Sequence, residues 1–98
     1  MNDLKAQLTE QIDEAKWEWL LPHVARDALI VVTPGLDLAE VGFAMSCNQV
    51  ELVQRWISEA LIHKPSADQI RAWSQDRHQR FQALILAPYV LIRESPLA

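Results

Sequence analysis

The sequence predicts an α+β fold in which an N-terminal helix and a central helix pair pack on a small sheet. Three observations carry this. An apolar stripe of helical period opens the chain, three helix-start signatures fill its middle, and two aliphatic runs at 28–33 and 81–93 read as strands. The chain has 98 residues, which suits one domain spanning 1–98. Half of them are hydrophobic and 22% are charged, a balance that supports a core and excludes a disordered chain.

Taken in order, Leu4, Leu8, Ile12 and Ala15 recur every three or four residues, with Lys5, Gln7, Glu10, Gln11 and Glu14 between them. That spacing predicts one amphipathic helix over about 3–20 that Pro22 stops or kinks, with a further turn around His23–Asp27. The run Ala28–Thr33 is β-branched and apolar on both sides of any pleat, so it reads as a strand covered on both faces, and Pro34-Gly35 ends it.

Asp37, Asn48 and Ser66 each precede Glu or Gln by three residues, at Glu40, Glu51 and Gln69. In such a box the first side chain accepts from free backbone N–H groups of the first turn and the second reaches back. Helices are therefore placed at about 38–46, 49–62 and 67–77. The second carries Val50, Val53, Trp56, Ile57, Ala60 and Leu61 on one face; the third is weaker, with Ala67, Ile70 and Trp73. Lys64-Pro65 separates them, because the residue before proline is pushed out of the helical region. The segment 81–93 reads as one bent strand or two short ones divided at Pro88. Strand, helix pair and strands follow one another in an order resembling a winged helix.

Charge and composition narrow the function classes. The net charge is −4, but it is uneven: residues 1–60 carry four basic and ten acidic side chains, and residues 61–98 carry five basic and three acidic. Phosphate affinity rests on clustered cations, so nucleic acid is a disfavoured partner. No apolar run approaches the ~20 residues that cross a bilayer, so no membrane association is expected. The start, Met1–Lys5, is polar and unlike a secretory leader. The single cysteine, Cys47, makes an intrachain disulfide impossible, and a cytoplasmic setting is the expectation.

Several segments form a recognisable set: Glu14–His23 (EAKWEWLLPH), Asp27–Val32 (DALIVV), Leu36–Ala44 (LDLAEVGFA), Val53–Ile57 (VQRWI) and Leu61–Pro65 (LIHKP). In this order and spacing they resemble the small bacterial proteins grouped as domain of unknown function 2288, over nearly the whole chain. The resemblance implies a bacterial one-domain protein and supplies no activity.

Candidate sites follow from residues with no evident place in the core. Trp17 and Trp19 are two apart, so on a helix turning about 100° per residue they point in nearly opposite directions. Trp19 continues the Leu4–Ala15 stripe, which leaves Trp17 outward unless another element covers it. Trp17, Trp19 and, in the C-terminal segment, Tyr89 are the candidate partner-binding residues, since aromatic side chains anchor interfaces. Lys64, Arg77 and Arg80, with Arg71 and His78 nearby in sequence, form a candidate patch for an anion or an acidic partner; local pairing to Asp68 and Asp76 is the plainer explanation. The helices at 38–46 and 49–62 resemble a helix-turn-helix at Val41, Gly42, Met45, Val53 and Trp56. The exposed positions of the would-be recognition helix, however, offer one cation (Arg55) against two anions (Glu51, Glu59).

No catalytic constellation emerges. His23 and Asp27 are two potential ligands without a third, Cys47 has no paired cysteine or evident base, and Thr33–Asp37 has one glycine with Asp37 where a phosphate would sit. No enzyme activity, cofactor or metal is expected. The function that remains is a non-catalytic interaction or adaptor module, homodimeric or bound to an unidentified protein, with a winged-helix-like nucleic-acid-binding regulator as the alternative. The expected core is Leu8, Ile12, Trp19, Ile30, Val32, Val41, Val53, Trp56, Ile57, Ile70, Trp73, Leu84 and Leu86. Trp56→Ala is expected to cost about 3–5 kcal/mol; chemical denaturation checks this, and wild-type stability in the variant would show that the Val53–Trp56–Ile57 face is not buried.

Overall fold

The opening helix ends sooner than its apolar spacing predicts. In the computed structural model, which describes residues 3–76 and 78–94, α1 (Asp3–Gln11) gives way at Ile12 to β1 (Asp13–Lys16), and α2 (Trp17–Ala25) follows directly. The remaining elements are β2 (Leu29–Val32), α3 (Leu38–Ser46), α4 (Val50–Ser58), β3 (Ile62–His63), α5 (Ala67–Gln75), β4 (Arg80–Leu86) and β5 (Tyr89–Glu94). The expected helix over 3–20 is thus two helices with a strand between them. The helix-period stripe is real up to Ile12; beyond it, antiparallel pairing of β1 with β4, Ala15 opposite Phe81, overrides local helical preference. Pro22 lies inside α2 without ending it. The carbonyl its missing N–H leaves unbonded is that of Glu18, and both residues are on the exposed side of the helix.

All five strands form one sheet in the order β1-β4-β5-β2-β3. The neighbours are antiparallel except β2 and β5, which run parallel with Leu29 opposite Val90 and Val31 opposite Ile92. The apolar segment 81–93 resolves into two strands joined at Ala87-Pro88, with Leu86 opposite Tyr89. Its partner β2 is apolar on both sides because helices cover both. On one face Leu8, Leu38, Val41, Ala44 and Trp56 from α1, α3 and α4 meet Val32, Ile62, Leu84 and Leu91. On the other, Trp17, Leu20 and Trp73 from α2 and α5 meet Ala15, Leu29, Val31, Phe81, Val90 and Ile92. α3 approaches the sheet closely at Gly42, where an added Cβ would lie 2.7 Å from Leu84 Cδ2; only glycine lets the helix sit this near the sheet.

Helix ends explain a second departure. Asn48 does not open α4; it closes α3, at φ 60°, with its N–H donating to Met45 O and that of Gln49 donating to Ala44 O. The same paired reach-back closes α2 at Asp27 (φ 61°) and α4 at Ala60 (φ 60°). The asparagine that resembled an N-cap is therefore a left-handed C-terminal residue, for which its short polar side chain suits it. α4 starts at Gln49 with no side-chain cap. Of the other two expected boxes, Asp37 accepts only from Ala39 N–H, while Ser66 and Gln69 form the full reciprocal box. Glycine is the usual residue at a left-handed cap, and alanine there is strained. Ala60→Gly is expected to raise stability by about 1 kcal/mol, read as a higher denaturation midpoint; a lower midpoint would contradict the cap assignment.

Candidate interaction surfaces

The break at Ile12 decides which tryptophan faces inward. Along β1 the side chains alternate, so Ala15 and Trp17 point to one face and Lys16 to the other. Trp17 enters α2 already committed to the core, where it is 6% exposed, and Trp19 turns out to solvent at 58%. This reverses the core assignment of Trp19 and shows that other elements cover Trp17, which the spacing left open. Trp17 packs with Trp73 and Phe81 at ring-centroid distances of 5.2 and 5.8 Å, and its indole N–H donates to Ser74 Oγ at 2.9 Å. It has little surface left for a partner. Trp19 keeps its exposure, with the Lys16 ammonium 5.5 Å from its ring centroid. Tyr89 is partly exposed beside the β4–β5 turn. It shares a sheet face with Leu86, the face opposite to that covered by α2. Trp19 and Tyr89 therefore lie on different sides of the molecule.

Among the described residues, three of the basic candidates are held in separate ion pairs. Lys64 pairs with Asp27, Arg71 with Asp68 at 3.4 Å and Arg80 with Glu14 at 3.3 Å. Lys64 follows β3 and Arg80 opens β4, three strand spacings or about 14 Å apart across the sheet and toward opposite ends of it. Arg77 lies outside the described residues. A cleft of about 410 Å³ opens beside Arg80, with Trp17 and Trp73 in its wall and both signs of charge around it, from Lys16 and Arg80 and from Glu18 and Asp76. Ser74, its one hydroxyl, is already bonded to Trp17.

His23 is half-buried on α2, whereas Asp27 lies beyond the helix and is held by Lys64. Cys47 is exposed at the end of α3. The N-terminus of α3 is taken by the Asp37 carboxylate. Among the described residues, no three His, Cys, Asp or Glu side chains gather as a metal ion requires, and no helix is long and apolar enough to cross a membrane.

Along α3 and α4 lies an apolar surface of which the sequence placed Val53, Trp56 and Ile57 in the core. Trp56 is buried and Val53 half-buried, but Val50 and Ile57 are 52% and 57% exposed, and Ala60 is exposed beyond the helix end. Beside them runs an uncharged groove of about 200 Å³ lined by Ala44, Met45, Val50 and Val53, with Asn48, Gln49 and Gln54 completing it. The signal was present in the spacing. At about 100° per residue, Leu52, Trp56, Val53, Ile57 and Val50 span an arc of about 160°, wider than a core-facing stripe needs.

The family model described as protein of unknown function (DUF2288) matches residues 3–94. The chain belongs to this family. A protein of Pseudomonas aeruginosa, PA1075, known from its NMR solution structure, is 30% identical with a TM-score of 0.81, over 99% of this chain and 89% of that one. Among curated proteins there is no match. The sequence resemblance and the α+β class are both met. For this DUF2288 protein, Trp17→Ala is expected to lose about 3–5 kcal/mol and Trp19→Ala under about 1 kcal/mol in urea denaturation. The reverse order would place Trp19 in the core and undo the strand assignment.

Proposed function

We propose that this DUF2288 protein is a non-catalytic interaction module that works as a homodimer. The observation that supports the reading most is the solvent-facing apolar row on α4, with Val50 and Ile57 more than half exposed beside a groove. Leaving such side chains in water forgoes roughly 25 cal/mol for each Å² that a partner covers. Polar groups, by contrast, are spent locally. Asp27, Asp68 and Glu14 pair with cations and Asp37 caps α3, and among the described residues no three His, Cys, Asp or Glu side chains gather. Trp19, on the layer opposite α4, offers a separate contact through which a dimer can recruit a second protein, the adaptor role.

Duplex DNA is the second reading, favoured by the consecutive helices α3 and α4. The outward face of α4 opposes it, because Glu51 and Glu59 outnumber Arg55 there and phosphate contacts need cations. Size-exclusion chromatography with light scattering is expected to return twice the chain mass of 11.2 kDa at tens of micromolar protein. A species that stays monomeric at millimolar concentration would remove the homodimer, and a steeply salt-dependent shift of duplex DNA would favour the regulator instead.

A further inference from the structure

We infer that the two copies join through α4, packed antiparallel on its own symmetry mate, with Ile57 of each copy seated in the α3–α4 groove of the other. The inference rests on the homodimer reading and names its surface. The sheet edges are poor candidates. β3 has two residues, and β1 carries Asp13, Glu14 and Lys16, with the Asp13 carboxylate accepting the Glu14 N–H at 2.8 Å. Short and charged edges discourage strand pairing. The cleft beside Arg80 is ringed by charge of both signs. The α3–α4 groove differs in having no charged residue in its lining. For a chain of net charge −4, this lining sets no like charges of two copies against each other, although Glu51, Arg55 and Glu59 flank it on α4.

The same flank of α4 supplies both halves of the contact. Val50 and Val53 line the groove, and Ile57 stands out from the helix one turn beyond Val53. From the middle of the Val50–Val53 pair to Ile57 is roughly 8 Å along the helix axis. A two-fold axis halfway between them inserts each isoleucine into the opposite groove, giving the self-complementary contact that a symmetric dimer requires. That axis falls at Gln54, an exposed residue of the groove lining. A glutamine amide carries both donor and acceptor, so it is compatible with its own symmetry mate. A charged residue at this place would face a like charge.

The position of Gln54 supplies the test. Gln54→Glu and Gln54→Lys alter an exposed side chain, so both variants are expected to fold with wild-type melting curves. Each alone is expected to weaken dimerisation about tenfold or more in light scattering, because like charges meet at the axis. An equimolar mixture of the two is expected to recover a dimer containing one copy of each. Ile57→Ala is expected to weaken the dimer without lowering stability, since it empties the opposite groove and not the chain's own core. If the wild type is dimeric but the charged variants remain so, or their mixture stays monomeric, the pairing through α4 is overturned and the homodimer reading stands. A monomeric wild type overturns both.

Discussion

The pairing of β1 with β4, with Ala15 opposite Phe81, is the contact on which the rest of this fold depends. It is only four residues long, yet it fixes the direction in which the chain enters α2. Because side chains alternate along a strand, Ala15 on the covered face places Trp17 there too. Trp17 then completes a ring cluster with Trp73 and Phe81, in which the Trp73–Phe81 centroids are 4.9 Å apart. That cluster docks α5, which otherwise offers little apolar surface, and joins the N-terminal quarter of the chain to its last third. Aromatic pairs at such distances contribute about 0.5–1.5 kcal/mol beyond the area they bury. Without the β1 pairing, Trp17 would lose its orientation and α5 its anchor.

What the sequence made legible follows from the range of the interactions responsible. β2 was readable because four consecutive apolar residues admit few alternatives, and the Ser66–Gln69 box because capping is settled within one turn. Val41 fell on the buried side of α3 as expected. β1 was not readable: Asp13-Glu14-Ala15-Lys16 has no strand-like composition, and only Phe81 and its neighbours, more than sixty residues away, make it extended. β3 is two residues long, below any periodic signal. Asn48 misled because the residue types that start helices also tolerate the left-handed cap that ends them. Trp19 was assigned inward by a periodicity carried past the end of its helix, and Ile57 because the apolar arc of α4 is wider than the contact it makes. Lys64 and Arg80 of the candidate patch are near in sequence, but α5 separates them along the chain and β5 and β2 lie between their strands in the sheet.

The two layers of helices are not equivalent in what they leave over. On the α2–α5 side the aromatic cluster consumes most of the large side chains, and Trp19 remains outside with Lys16 across its ring. On the α1–α3–α4 side the close approach at Gly42 draws α3 onto the sheet. α4 packs with Trp56 inward, and its apolar arc is wider than the contact it makes. The surplus on α4 is thus a consequence of how the core is filled. Charged groups are engaged near where they occur in the fold: Arg93 donates to Gln82 across the β4–β5 pair and to the Leu36 carbonyl before α3, and Glu14 holds Arg80 across the β1–β4 pair.

Nuclear Overhauser contacts through residues 12–16 test the central contact most directly. The account predicts cross-strand contacts between Asp13 and Ala83 and between Ala15 and Phe81, with no helical contacts three residues apart across this segment. A continuous run of such helical contacts from Leu8 to Leu20, with nothing to β4, would contradict it.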